Sequence, residues 1–226
     1  MIADGWHTGP LLGFDTETTG VTGAEDRIVT AAVVDGADVS TWLIDPGVEI
    51  PAEATRIHGI TTQHARDHGV APHLALPEIA RILVKAAEER IPVVAYRAGF
   101  DLTLLAYELE RHGLEPVPWN RLYVIDPFVL DKKCDKWRKG KRTLSAVCEQ
   151  YGVALSHAHS AVADATAAVA LARAIGARYP KIAQMSLGEL HVSQMGWHAD
   201  DAASLEAYLR RQGRDETVDR RWPLQL

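Results

Sequence analysis

Phe14-Asp15-Thr16-Glu17-Thr18-Thr19-Gly20 places two carboxylates, Asp15 and Glu17, two residues apart at the end of an apolar, strand-like run over 10–14. Side chains two apart on an extended chain point to the same face, so the two acids converge on one spot. Like charges a few Å apart in a partly dry site repel and raise each other's pKa unless a cation neutralises them. An all-oxygen ligand set without cysteine suits Mg2+ or Mn2+ better than zinc, which favours nitrogen and sulfur. The same residues also describe a strand that runs into a polar turn, where Asp, Thr and Gly are common. On this stretch alone the two readings stand level.

Three further segments favour the metal. Asp101 follows Tyr96-Arg97-Ala98-Gly99-Phe100, after the apolar run 91–95 and ahead of the helical pattern Leu102, Leu105, Leu109. His159 and Asp164 stand at the start of an alanine-rich helix that extends to about residue 179. His58 lies in Arg56-Ile57-His58-Gly59-Ile60-Thr61, a turn-rich connection. An FDxETTG strand, a downstream Phe-Asp and a His-x4-Asp at a helix start resemble the DnaQ-like DEDDh 3'-5' exonucleases, a family that includes the proofreading subunit of bacterial replicative DNA polymerase. The resemblance covers roughly residues 10–180.

The resemblance implies an α/β, ribonuclease H-like fold: a five-stranded mixed sheet with helices on both faces. It also implies roles. Asp15 bridges two Mg2+ or Mn2+ ions, Glu17 and Asp164 complete the inner site, and Asp101 holds the second ion through water. His159 is the general base, since an imidazole titrates near neutrality and can take a proton from an activated water. His157 competes for that role, but only His159 lies five residues before Asp164. Thr18, Thr19 and Gly20 follow the carboxylates in a turn whose hydroxyls and N–H groups suit a terminal 3'-hydroxyl and sugar, with turn formation alone as the other reading. His58, with Ile57 and Ile60, occupies the loop that packs on the terminal base, and a core-facing His58 is the alternative. Phe100 either stacks near the terminal nucleotides or anchors its helix.

One departure stands out. Many members of the family have His-Asn-Ala where this chain has Tyr96-Arg97-Ala98. Neither position is a metal ligand there, so the difference bears on substrate contacts, with Arg97 a candidate phosphate clamp or carboxylate partner. Asp126 precedes Pro127 and reads as a strand-end turn former rather than a fifth ligand.

Along the chain, strands at 11–16, 27–34 and 39–44 form an antiparallel meander. Helix 73–90, strand 92–95, helix 100–112, strand 122–125 and helices 143–151 and 160–179 then alternate as crossover units do. The exonuclease domain is expected over 1–180, and 181–226 as an extension packing on it. That extension reads as an irregular glycine-containing stretch, then an amphipathic helix at 200–211, with Trp197, Leu205, Tyr208 and Leu209 as anchors. Gln184-Met185-Ser186-Leu187 resembles the start of the glutamine-led peptide that docks on the bacterial sliding clamp, but Gly188 stands where a bulky residue is expected.

The 226 residues suffice for one enzyme-sized unit with a sizeable core. No apolar run approaches the ~20 residues of a membrane span, and no basic region followed by an apolar core opens the chain, which leads us to expect a cytoplasmic protein. Cys134 and Cys148 form no metal-ligand spacing and read as free thiols. The net charge of −6 is unusual for a protein that meets phosphates, but seven basic residues against the single acid Asp135 crowd 132–142, with Trp137 among them. That run is either a phosphate-tracking flap or a solvated loop.

The leading functional expectation is a metal-dependent exonuclease that releases nucleoside monophosphates from single-stranded or frayed 3' ends of DNA, with a DNA polymerase or sliding clamp as a possible partner. An exoribonuclease acting on RNA ends uses the same site. A non-catalytic nucleic-acid or polymerase-binding module is the third reading, opposed by the retention of all five active-site residue types.

Overall fold

In a computed structural model, residues 5–156 and 159–226 are described; His157 lies outside them. β1 (Leu12–Thr18), β2 (Ile28–Asp35) and β3 (Asp38–Leu43) form the antiparallel meander. Helices α1 (Ala52–His58), α2 (Thr62–His68) and α3 (Pro72–Glu89) lead to β4 (Val93–Val94), and α4 (Ala98–Arg111) leads on to β5 (Val124–Ile125). Then follow α5 (Pro127–Cys134), α6 (Leu144–Tyr151), α7 (Ala161–Arg178), α8 (Pro180–Ala183) and α9 (Leu187–Arg211). Strand order is β3-β2-β1-β4-β5, with β4 parallel to β1 and β5 parallel to β4. This is the five-stranded mixed sheet expected from the sequence.

β1 alternates. Leu12 and Phe14 are buried together with α3 and α4, through Leu76, Ile79, Leu83, Leu102 and Leu105. The other face of β1 carries Gly13, Asp15 and Glu17 and meets α7. A Cβ on Gly13 would lie 2.8 Å from the Ala165 carbonyl oxygen and 2.9 Å from a Val169 methyl, so only glycine lets α7 approach this closely. That approach brings the first turn of α7 beside the two carboxylates. The other helical cluster joins Val94 and Ile125 to Leu130, Val147, Leu171 and Ile175.

Two segments are more helical than the sequence reading allowed. The connection around His58 consists of two short helices: α1 ends at Gly59 (φ 79°), and α2 is capped by the Thr61 hydroxyl, which accepts from the His64 N–H. The glycine-containing stretch after residue 186 is the first half of α9. Ser186 and Glu189 form a reciprocal capping box, the sequence signal that the two glycines obscured. The longer helix also changes its buried stripe to Leu190, Gln194, Ala202 and Leu209, leaving Leu205 and Tyr208 42% and 51% exposed rather than anchoring. Ser186 of the clamp-like segment is committed to this cap.

β5 is an edge strand, and α9 covers it with side chains. The buried Gln194 amide accepts from the Asp126 N–H (2.7 Å) and donates to the Val124 carbonyl (2.9 Å), while His191 Nδ1 accepts from the Val124 N–H (3.1 Å). The glutamine amide thus replaces the peptide group of a missing neighbouring strand. Gln194→Ala is expected to lower unfolding stability by about 2–4 kcal/mol, because it leaves buried backbone groups unpaired. Urea denaturation measures this, and a loss under about 0.5 kcal/mol would show that the edge needs no such cover.

Candidate active site

Each acid arrives on a different element. Asp15 and Glu17 end β1, Asp101 lies in the first turn of α4, and Asp164 lies in the first turn of α7. Asp15, Glu17 and Asp164 each present an oxygen within 4.8 Å of the others. Asp101 stands outside that trio, fastened to β1 because its Oδ1 accepts from the Thr16 N–H (3.0 Å) and hydroxyl (2.7 Å). All four line one cavity of about 500 Å³, with Tyr96, Arg97, Phe100, Leu144 and His159. His159 is exposed, has φ 69°, and its N–H donates to Asp164 Oδ2 at 3.3 Å.

Burial raises the pKa of all four carboxylates. Burial, then the charges of Asp101, Asp164 and Glu17, raise Asp15 well above an ordinary carboxylate. Burial followed by Asp164 and Asp101 pushes Glu17 up to about 7, and burial pushes Asp101 up to about 7 against the opposing Thr16 hydrogen bonds. Asp164 is also raised by burial, opposed by the His159 N–H. A converging, all-oxygen set that cannot ionise together fits a hard divalent cation. Asp164 Oδ1 fits too, being buried with no hydrogen-bond partner among the described residues.

The sign of the pH effect follows from these shifts. Carboxylates whose folded pKa lies above the unfolded value favour the fold below about pH 4, and that contribution is lost as pH rises through about 7. The metal-free protein is therefore expected to melt lower at about pH 8 than at about pH 5. Millimolar Mn2+ should raise the melting temperature, and more so at the higher pH, since a ligand bound to the native state stabilises it. A metal response independent of pH in calorimetry would contradict a cation bound by these acids.

The remaining candidate residues divide. Phe100 lines the main cavity. His58 is the last residue of α1 and faces the adjoining cavity, which shares Glu17 and His159 with the first and adds Trp42, Ile60 and His64. Burial lowers its imidazole pKa. Thr18, Thr19 and Gly20 line neither cavity, and two of their groups are committed to the turn. The Thr18 hydroxyl donates to the Gly20 carbonyl (2.6 Å), and the Thr19 hydroxyl donates to Asp26 (2.8 Å) and accepts from the Arg27 N–H (2.9 Å). A Cβ on Gly20 would strike the Asp26 carboxylate at 2.6 Å.

Arg97 is neither buried nor paired with a carboxylate among the described residues. Its φ is 64°, and its guanidinium lies 4.4 Å from the centre of the Phe128 ring. Asp126 is more than a turn former. It caps α5 through the Phe128 N–H, and its buried carboxylate also accepts from the Arg97 and Ala98 N–H groups, both at 3.0 Å, fixing the start of the helix that carries Asp101. Asp followed by Pro was the available sequence signal for this cap. The additional partners come from far along the chain.

The model of the RNase_T family, described as exonuclease, matches residues 12–172. A DNA polymerase III PolC-type of Lacticaseibacillus paracasei is 31% identical over 159 residues, covering 68% of this chain and 10% of that protein. A DNA polymerase III subunit epsilon-like protein of Rhodobacter capsulatus is 41% identical over 100 residues, 41% of this chain and 13% of the relative. The chain thus spans about a tenth of these curated relatives. Among solved structures, E. coli Exonuclease I with a dT13 oligonucleotide superposes with TM-score 0.65 at 21% identity over 77% of this chain and 42% of that one. The same enzyme with dA16 gives 0.67 at 21% identity, over 88% and 45%. These neighbours share the fold. With its family match running from β1 through most of α7, the chain belongs to the RNase_T exonuclease family.

Proposed function

We propose that this protein is a 3'-5' exonuclease that removes nucleoside monophosphates from single-stranded or frayed DNA ends, using two Mg2+ or Mn2+ ions. The convergence of Asp15, Glu17 and Asp164, with Asp101 tied to the same strand and His159 at the cavity mouth, carries this reading. Asp15, Glu17 and Asp164 would hold one ion, and Asp15 with Asp101 the second. Bound divalent ions lower the pKa of water and offset charge on the attacked and leaving oxygens. His159 accepts the proton of the attacking water at an imidazole nitrogen. Phe100 and His58 flank the terminal nucleotide. We assign the contact of Thr18, Thr19 and Gly20 with the sugar to their backbone, because both hydroxyls are engaged in the turn.

DNA is favoured over RNA because the similar proteins are DNA polymerase III chains and an exonuclease crystallised with oligo-dT. The polymerase relatives also make a polymerase a fitting partner, and the hydrogen bonds from α9 to β5 support residues 181–226 as an extension that braces the exonuclease unit. Matched DNA and RNA oligomers labelled at the 5' end, incubated with Mg2+ or Mn2+, test the activity. A ladder shortening from the 3' end, faster on DNA, is expected. Hydrolysis of RNA alone would make it an exoribonuclease, immediate release of the label would reverse the polarity, and no hydrolysis of either would leave a binding module.

A further inference from the structure

The basic run over 132–142 divides in two. Arg138 and Arg142 both turn inward to the fully buried Asp131 and act as pins for the loop. Lys132, Lys133 and Lys136 instead edge a cavity of about 140 Å³ between α5 and α9, with Phe128 and Trp197 in its lining. Lys132 is paired with Asp201 and joins the two helices, and Asp200 lies at the rim. Lys133 and Lys136 have no carboxylate within salt-bridge distance among the described residues. Lys133 Nζ sits 5.1 Å from the Trp197 ring centre, and Lys136 Nζ 5.2 Å from that of Trp137, which is 85% exposed.

This groove connects to the candidate active site through one ring. Phe128 lines the groove, carries the Arg97 guanidinium, and meets Tyr96 edge to face at 5.8 Å; Arg97 and Tyr96 both line the catalytic cavity. Cations thus stand over successive aromatic faces, Arg97 and Lys132 over Phe128, Lys133 over Trp197 and Lys136 over Trp137. Combining phosphate contacts with stacking surfaces is how sequence-tolerant single-strand sites are built. We propose that this groove carries the single-stranded segment on the 5' side of the scissile phosphate, with Arg97, Lys133 and Lys136 on its phosphates and Trp137 under a base. The inference rests on the exonuclease reading above. It makes α9 part of the substrate site.

The test compares a 5'-labelled DNA trinucleotide with a 15-mer single strand. For the wild type, the longer substrate should have the lower KM. In K133Q/K136Q that advantage should largely vanish, and the slope of log affinity against log salt for the 15-mer should flatten by about 1.4, or ~0.7 per lost contact on a single strand. Trp137→Ala should weaken 15-mer binding by about 5- to 100-fold. K139Q/K141Q, outside the groove, should leave the KM ratio unchanged. Anisotropy of the 15-mer in EDTA reads the groove without catalysis, so an inactive wild type that still shows these binding losses defeats the exonuclease reading and not the groove. A 15-mer bound by K133Q/K136Q with wild-type affinity and salt slope, or equal losses on both substrates, overturns the proposal.

Discussion

Asp15→Ala and Asp164→Ala are each expected to reduce hydrolysis at least about 10⁴-fold, since groups that act as one unit fail together. The fold should survive. In the metal-free protein burial, and then the charges of Asp101, Asp164 and Glu17, raise the Asp15 pKa. Removing one acid relieves that repulsion, so the metal-free melting temperature should stay level or rise. The Mn2+-induced rise should disappear at the same time, because the set of converging oxygens is broken. Loss of activity with a retained metal response would place the cation elsewhere. Wild-type turnover in either variant would remove these residues from the active site.

His159→Ala should slow turnover at saturating metal by about 10²- to 10⁴-fold, the range for a lost general base. His159 makes contact with Asp164 through its backbone N–H, which alanine retains, so the metal-induced melting shift should persist. His157→Ala should be nearly silent. The reverse ranking of the two variants would show that the base is misassigned, and a His159→Ala protein that no longer responds to metal would make His159 a support for Asp164 rather than a base.

Much of this was legible because it is local. Alternation along one strand puts Leu12 and Phe14 on the face opposite Asp15 and Glu17, and the FDxETTG, Phe-Asp and His-x4-Asp spacings locate all four acids and His159 on their elements. Helices α3, α4, α6 and α7 followed from periodicity. Less visible were helices that start on short caps. Ser186 with Glu189 opens α9 and Asp126 with Pro127 opens α5, but Gly188, Gly196 and the lysine run concealed the helical pattern that follows.

What the chain could not disclose locally is where its polar groups find partners. Seven cations crowded into 132–142 look alike in sequence. Folding sends Arg138 and Arg142 to a buried Asp131, ties Lys132 to Asp201 sixty-nine residues away, and leaves Lys133 and Lys136 over a groove. Likewise the carboxyl of Asp126 is ordinary until the fold sets it against the first N–H groups of α4, and the amide of Gln194 until β5 proves to be an edge strand whose unpaired N–H and C=O groups must be satisfied. Strand and helix periodicity is written in adjacent residues. The pairing of buried polar groups depends on which distant segments the core brings into contact, and burial then decides which charges remain available to a substrate.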